Sequence, residues 1–212
     1  RDIKDSVEHK KDRAIIQKWL YKVLLRRAYG RASDGALMKS RSAFIEEFEK
    51  ENNYIKDKSA LFPADDIVKN LSLGVIDDES VAQILSTQKD NQYCFPILAL
   101  LYPNLDYKNN NFHKDHLHPA AKYDLLSDTL KEKYSFTVYN SIINLQMLDA
   151  NENESKNQKD LAEWVNNTTT LDSRKQFLDN HLIPDVDLRL ENFEEFIEER
   201  RKLLTEKLKA LL

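Results

Sequence analysis

Residues 113–119 read His113-Lys114-Asp115-His116-Leu117-His118-Pro119 and contain three of the five histidines of this 212-residue chain. Imidazoles next to a carboxylate supply metal ligands and a base whose pKa lies near neutrality. If the segment is a β-strand, alternation places His113 and Asp115 on one side and His116 and His118 on the other. Asp115 and His116 can then have separate functions at a point where the strand twists or ends.

Downstream, residues 136–148 are the region richest in β-forming side chains, and they predict a strand that ends near Leu148. A turn and a short polar helix are expected to follow. Asn153 and Lys156 are three residues apart, so that helix would present them on one face. Carboxylate and amide oxygens such as those of Asp115 and Asn153 suit a hard divalent cation.

The rest of the chain predicts a mainly α fold: a helical bundle that surrounds one small hairpin–helix motif. Apolar periodicity and helix-terminal signals predict helices over residues 9–29, 36–49, 65–71, 78–85, 96–101, 119–134 and 192–212. We predict three regions: a helical N-terminal subdomain (1–104), a core with the histidine cluster (105–166) and C-terminal helices (167–212).

Composition excludes several classes of function. With 41% hydrophobic and 32% charged residues, the chain is expected to be a folded, soluble protein. Its three glycines lack the spacing of phosphate-binding loops, which excludes a P-loop or dinucleotide fingerprint. No membrane span, signal peptide or cysteine pair occurs, so a cytoplasmic setting is expected, with Cys94 a buried thiol. Because the chain begins with Arg1 and not with methionine, we expect a fragment, a trimmed product or an engineered chain.

The charge is unevenly distributed. Net charge is −4, yet residues 1–41 contain twelve Lys and Arg against five Asp and Glu. Such asymmetry permits a phosphate-binding surface on an acidic protein. Lys18, Lys22 and Arg26 recur every four residues on the first predicted helix and are the candidate DNA contacts. The alternative is that they form an ordinary solvated helix face.

The pattern Asp115-His116-x-x-Pro119, followed by Asn144, Asn153 and Lys156, resembles the ββα-metal (HNH) nuclease motif. The spacing of the last three is similar to that in the HNH domain of RNA-guided CRISPR nucleases. The surrounding sequence resembles modification-dependent restriction endonucleases of the GmrSD type, which join an N-terminal ParB-like nucleotidase domain to a C-terminal HNH domain. This wider resemblance includes residues 24–30, 177–184, 192–193 and 200–201.

The resemblance implies a metal-dependent DNA endonuclease from an antiviral restriction system. His116 matches the general base, and Asp115 and Asn153 match the ligands of one Mg²⁺ or Mn²⁺ ion. Asn144 matches the asparagine that braces the hairpin. The remaining assignments are His113 as a third ligand or supporting residue, Lys156 as a phosphate contact and His118 as a structural residue.

The implied partners are DNA, in particular modified phage DNA, and the nucleotidase domain of a longer parent chain. Nothing in the sequence resembles the DGQQR-type motif of that domain, so this chain is not expected to hydrolyse nucleotides.

Three alternatives remain open. The first is a structural zinc site built from His113, Asp115, His116 and His118. The second is a catalytically inactive HNH-like module that binds DNA or a partner. The third is a helical interaction protein whose histidines are incidental.

Overall fold

The computed structural model describes residues 9–30, 33–48, 52–55, 61–74 and 76–211. The chain is mainly helical, as predicted, and it divides into two compact units. The first comprises residues 1–76 with 211–212, and the second comprises residues 77–210. The division into three regions that the sequence suggested remains a prediction. None of the described helices combines the length and apolar character that a membrane crossing requires.

The first unit contains α1 (Lys10–Leu25), α2 (Ser33–Arg41), β1 (Ile45–Phe48), β2 (Asn52–Ile55) and α3 (Ala64–Asn70). β1 and β2 form an antiparallel pair. Trp19 on α1 packs edge-on against Phe62, with ring centroids 5.0 Å apart. The buried Asp12 carboxylate accepts a hydrogen bond of 2.9 Å from the Phe62 backbone N–H, which ties α1 to the segment before α3.

The helix predicted over residues 36–49 is wrong in its second half. α2 ends at Arg41, Ser42–Phe44 is a 3-10 turn, and β1 follows; Glu49 lies outside the described residues. The Lys39 carbonyl accepts hydrogen bonds from the Ser42 hydroxyl (2.7 Å) and the Asn70 amide (3.2 Å). These bonds occupy a carbonyl at the helix end, and pairing with β2 then favours the extended form.

The second unit contains most of the helices and the second strand pair. Its elements are α4 (Asp78–Leu85), α5 (Cys94–Leu101), β3 (Phe112–His116), α6 (Asp128–Lys133), α7 (Phe136–Tyr139), β4 (Leu145–Asp149), α8 (Ala150–Lys156), α9 (Leu161–Thr168), α10 (Leu171–His181) and α11 (Phe193–Leu211). β3 and β4 are antiparallel, and His116 is opposite Leu145. α8 begins directly after β4, and the Asp149 carboxylate caps it through the Glu152 N–H at 2.9 Å.

The strand predicted over residues 136–148 is also largely wrong. Phe136–Tyr139 is a short helix, Ile142–Asn144 is a 3-10 turn, and only Leu145–Asp149 is extended. Tyr139 is buried and stacks on Phe193 of α11, with ring centroids 5.0 Å apart. β propensity measures how well a side chain fits a pleated, half-buried surface, and here the Tyr139 ring is buried against a helix instead.

Candidate active site

His116 is the last residue of β3, and its ring is held at both nitrogens. Nε2 lies 2.9 Å from Oδ1 of Asn140, and Nδ1 lies 3.5 Å from Nζ of Lys89. Burial lowers the pKa of His116 below its ordinary value of 6.5. The ammonium groups of Lys89 and Lys156 lower this pKa further, against the hydrogen bond to Asn140 and the charge of Asp115. The lowered pKa favours the neutral form of the ring, which is the form that a general base needs.

Asp115 lies on the opposite face of β3, as alternation along a strand requires. Its Oδ2 atom accepts a hydrogen bond of 3.2 Å from the Gln146 amide, directly across the sheet, and lies 3.0 Å from Nζ of Lys156. The side chain is 17% exposed. Among the described residues these contacts both end on Oδ2, which leaves Oδ1 as the oxygen for another ligand.

Lys156 is buried, with no exposed side-chain surface. Its ammonium donates to the His116 carbonyl at 2.6 Å and lies 5.7 Å from the ring centre of Trp164. Burial lowers the pKa of Lys156, and the Asp115 carboxylate raises it in opposition. Lys156 thus anchors the end of β3 and the Asp115 side chain. It does not reach the surface, where the predicted phosphate contact would form.

The other two predicted metal ligands, Asn153 and His113, lie on α8 and β3, the elements that carry Lys156 and Asp115. Asn153 is on α8, three residues before Lys156 and on the same helical side, and it is partly exposed. His113 is exposed on β3, opposite Leu148. In the described parts of the chain, no group of three or more His, Cys, Asp or Glu side chains is placed to hold a metal ion. The oxygen atoms of Asp115 and Asn153 are of the ligand type that Mg²⁺ prefers, since this ion usually takes one or two carboxylates and keeps several waters.

Asn144 is fully buried and joins the end of β3 to the segment before β4. Its Oδ1 accepts from the His118 N–H, and its Nδ2 donates to the carbonyls of His118 and Tyr139, all at 3.0 Å. The side chain makes three hydrogen bonds and satisfies backbone groups on two segments. These contacts brace the strand pair, and Asn144 has no contact with the His116 ring among them.

The zinc site considered from sequence does not form among the described residues. His118 is buried against Phe193 and Phe196, with ring centroids 5.4 and 4.6 Å away, and burial lowers its pKa to about 3. His113 is exposed, and His116 and Asp115 are on opposite faces of β3. Tetrahedral zinc needs four ligands directed at one point. The zinc alternative is therefore wrong. The burial of His118 agrees with the structural role that was expected for it.

Sequence reasoning missed Lys89, Asn140, Gln146 and His181. Lys89 and Asn140 contact the His116 ring from 27 and 24 residues away. Nδ1 of His181 lies 3.2 Å from Oε1 of Gln146, which connects it through Gln146 to Asp115. No local spacing marks these residues, because each reaches the site through a separate element.

The proposed DNA-contact residues belong to the first unit. Lys18 and Lys22 lie on α1, where Lys18 is exposed and Lys22 is half-buried. Arg26 follows the last residue of α1 and is half-buried, and its Nη1 atom is buried without a hydrogen-bond partner in the described structure. Lys18 therefore presents its charge to solvent more fully than Arg26 does.

Comparison with known proteins does not extend these observations: neither a scan of protein-family models nor a search of curated proteins finds a match to this chain.

Proposed function

We propose that this chain is a metal-dependent DNA endonuclease of the HNH type. The observation that carries the proposal is the position of His116: an imidazole held at both nitrogens, at the end of a strand, and adjacent in sequence to the Asp115 carboxylate. The lowered pKa of this ring favours its neutral form. The order β3, β4, α8 supports it, since it is the strand–strand–helix order of the motif that the sequence resembles. So does Asn144, whose hydrogen bonds are those of a hairpin brace.

In this proposal different residues of the chain have different roles in phosphodiester hydrolysis. His116 takes a proton from a water molecule, and the hydroxide oxygen forms a bond to phosphorus while the bond to the 3′-oxygen breaks. The 3′-oxygen takes a proton from solvent, and His116 returns its own proton to solvent. Asp115 and Asn153 would hold Mg²⁺ or Mn²⁺. When bound, that ion supplies stabilisation of the charge on the phosphate and the leaving oxygen.

The wider biological role rests on the resemblance to GmrSD-type enzymes alone. We propose that the nuclease serves an antiviral restriction system, that its substrate is modified phage DNA, and that the parent chain carries an N-terminal nucleotidase domain. The basic surface of α1 gives limited physical support, because surface lysines attract the DNA backbone without regard to sequence.

The test is cleavage of supercoiled plasmid by the purified chain. We expect nicked or linear product with Mg²⁺ or Mn²⁺ and none with a chelator. His116→Ala should lower the rate by roughly 10²–10⁴-fold, the usual contribution of a general base. His9→Ala is the matched control, since His9 lies in the other unit, and it should cleave at the wild-type rate. Equal rates for wild type and His116→Ala would contradict the proposal.

A second candidate function is an inactive HNH-like module that binds DNA or a partner. One observation favours it: the Asp115 carboxylate already has a buried ammonium at 3.0 Å, and a cation so close competes with a metal ion. This function predicts that the chain retards a DNA fragment on a gel with or without chelator, and that the plasmid stays intact.

A further inference from the structure

The two residues that hold the His116 ring are brought together by one short backbone connection. The Lys89 N–H donates to the Asn140 carbonyl at 3.0 Å, and Gln88 forms a β-bridge with Ser141. The Ile142 N–H donates to the Thr87 carbonyl, also at 3.0 Å. The segment before α5 and the segment after α7 therefore meet beside β3, and each contributes one side chain to the imidazole.

The Asn140 backbone is fixed on both sides of its side chain. Its N–H donates to the Phe136 carbonyl at 2.8 Å, and its carbonyl accepts from Lys89. Lys89 is fixed as well, because its own carbonyl accepts a hydrogen bond from the Lys114 ammonium on the same face of β3 as His116. A shift of either backbone segment along the ring would break these hydrogen bonds.

These contacts allow one tautomer of the neutral ring. A lysine ammonium has three donors and no acceptor, so the nitrogen that faces Lys89 must carry a lone pair. That nitrogen is Nδ1, and the single ring proton is then on Nε2. Asn140 must present its oxygen to this N–H, which is the orientation observed at 2.9 Å. If the Asn140 amide were reversed, its NH₂ group would face Nε2. Because the neutral ring has one proton, one of its two nitrogens would then have a donor facing another donor.

We propose that Asn140 is a positioning residue that keeps the proton of His116 on Nε2 and directs Nδ1, beside Lys89, to the water molecule of the reaction. The inference rests on the proposed nuclease function. In the free chain the Nδ1 lone pair accepts from the Lys89 ammonium. When this ammonium turns to a phosphodiester oxygen of the substrate, the lone pair is released to the water molecule beside it. The buried Lys156 cannot serve in this way, so Lys89 takes the phosphate contact that the sequence assigned to Lys156.

Two measurements on the folded chain test the proposal. The first is the two-bond ¹H–¹⁵N correlation spectrum of the neutral His116 ring, with its signals assigned by their loss in His116→Gln. We expect the Nε2–H pattern in the wild type and in Asn140→Asp, which keeps an acceptor oxygen. Asn140→Leu has a similar size and no acceptor, and it should show a mixture of both tautomers.

The second measurement is plasmid cleavage. Asn140→Leu should lower kcat on the order of 10²-fold with KM nearly unchanged, because positioning of the base acts in the transition state. Asn140→Asp should recover most of this loss. Gln88→Ala is the matched control: its amide bonds the Thr137 carbonyl at 2.7 Å in the same connection, but it does not contact the imidazole. Gln88→Ala should leave kcat unchanged.

The outcomes separate this proposal from the nuclease function. An Nδ1–H pattern in the wild type, or an unchanged spectrum and kcat in Asn140→Leu, would overturn the role of Asn140 while the nuclease proposal stands. Equal losses of kcat in Gln88→Ala and Asn140→Leu would reduce Asn140 to a structural residue. A wild type that cleaves no plasmid, with a spectrum that still depends on Asn140, would instead overturn the nuclease function and keep the fixed tautomer.

Discussion

Nζ of Lys156 lies 3.0 Å from Oδ2 of Asp115, and the lysine side chain is fully buried while the aspartate is 17% exposed. The same ammonium donates to the His116 carbonyl at 2.6 Å. One buried cation thus holds both neighbouring residues of the candidate site, one through its side chain and the other through its backbone. The positions of the Asp115 side chain and the His116 backbone therefore depend on a lysine that solvent does not reach.

Replacing Lys156 should therefore destabilise the second unit. Lys156→Met removes the donor of the His116 carbonyl and the buried cation that pairs with the Asp115 carboxylate, which then keeps, among the described residues, only the Gln146 amide as a donor. We expect a loss of about 3 kcal/mol in the free energy of unfolding. Urea unfolding followed by the fluorescence of Trp164, which lies beside Lys156, measures it. Lys159→Met should change the free energy by less than about 0.5 kcal/mol, since the Lys159 hydrogen bond is exposed. Similar values for the two variants would refute the anchoring role.

Asn144→Ala should also be costly. The change removes three buried hydrogen bonds and leaves backbone groups of His118 and Tyr139 without a partner. We expect a loss of about 3–4 kcal/mol on urea unfolding, since an unpaired buried polar group costs more than a hydrogen bond contributes. The exposed Asn111 provides the control. A stable Asn144→Ala protein would show that the brace is dispensable.

Arg200 on α11 is a fully buried guanidinium that donates to the carbonyls of Leu182 (2.5 Å) and Leu145 (2.7 Å). Arg200→Lys keeps the charge but loses the planar fork that reaches both carbonyls. We expect thermal or urea unfolding to show a loss of about 2 kcal/mol, equivalent to one charged hydrogen bond. The neighbouring Arg201 is 37% exposed, and Arg201→Lys should be neutral.

The second unit should lose stability in mild acid. Burial lowers the pKa of His118 from 6.5 to about 3 and that of His181 to about 4. Below pH 6.5 the unfolded chain binds protons at these histidines and the folded chain does not. The unfolded state therefore holds more protons, and the free energy of unfolding falls as pH falls from 6.5 towards 4, by up to about 1.4 kcal/mol per pH unit for each histidine.

A series of urea unfolding curves between pH 7 and pH 4.5 measures this effect. His118→Leu removes one of three buried histidines whose pKa is lowered, the others being His116 and His181, so its stability should fall less steeply with pH than that of the wild type. Identical slopes for the two proteins would mean that His118 is protonated in the folded state as readily as in the unfolded state.

DNA affinity should depend on the lysines of α1. Lys18→Gln with Lys22→Gln should weaken binding at low salt and reduce the slope of log K against log salt concentration by about 2, or roughly 0.9 for each phosphate that is no longer neutralised. Fluorescence anisotropy of a labelled duplex from 50 to 200 mM salt measures the slope. The pair Lys202 and Lys209, on α11, is the control for net charge. An unchanged affinity at low salt would exclude α1 from the DNA-binding surface.

Local patterns in the sequence were sufficient for several elements. The segment predicted over residues 78–85 is α4, Asp78–Leu85, and the long C-terminal helix is α11, Phe193–Leu211. Both have apolar side chains at helical spacing, with acidic residues in the first turn, and such signals lie within a few residues of each other. The short polar helix expected after the strand that ends near Leu148 is α8, which carries Asn153 and Lys156.

The sequence by itself thus determined a mainly helical chain with a short polar helix after a strand, because these depend on residues close together along the backbone. Only the tertiary structure decided that Lys156 is buried, that Phe136–Tyr139 is a helix, and that Lys89 and Asn140 meet at the His116 ring. The physical reason is distance along the chain. A contact between residues 24 or more positions apart depends on how whole elements pack, and local periodicity contains no record of that packing.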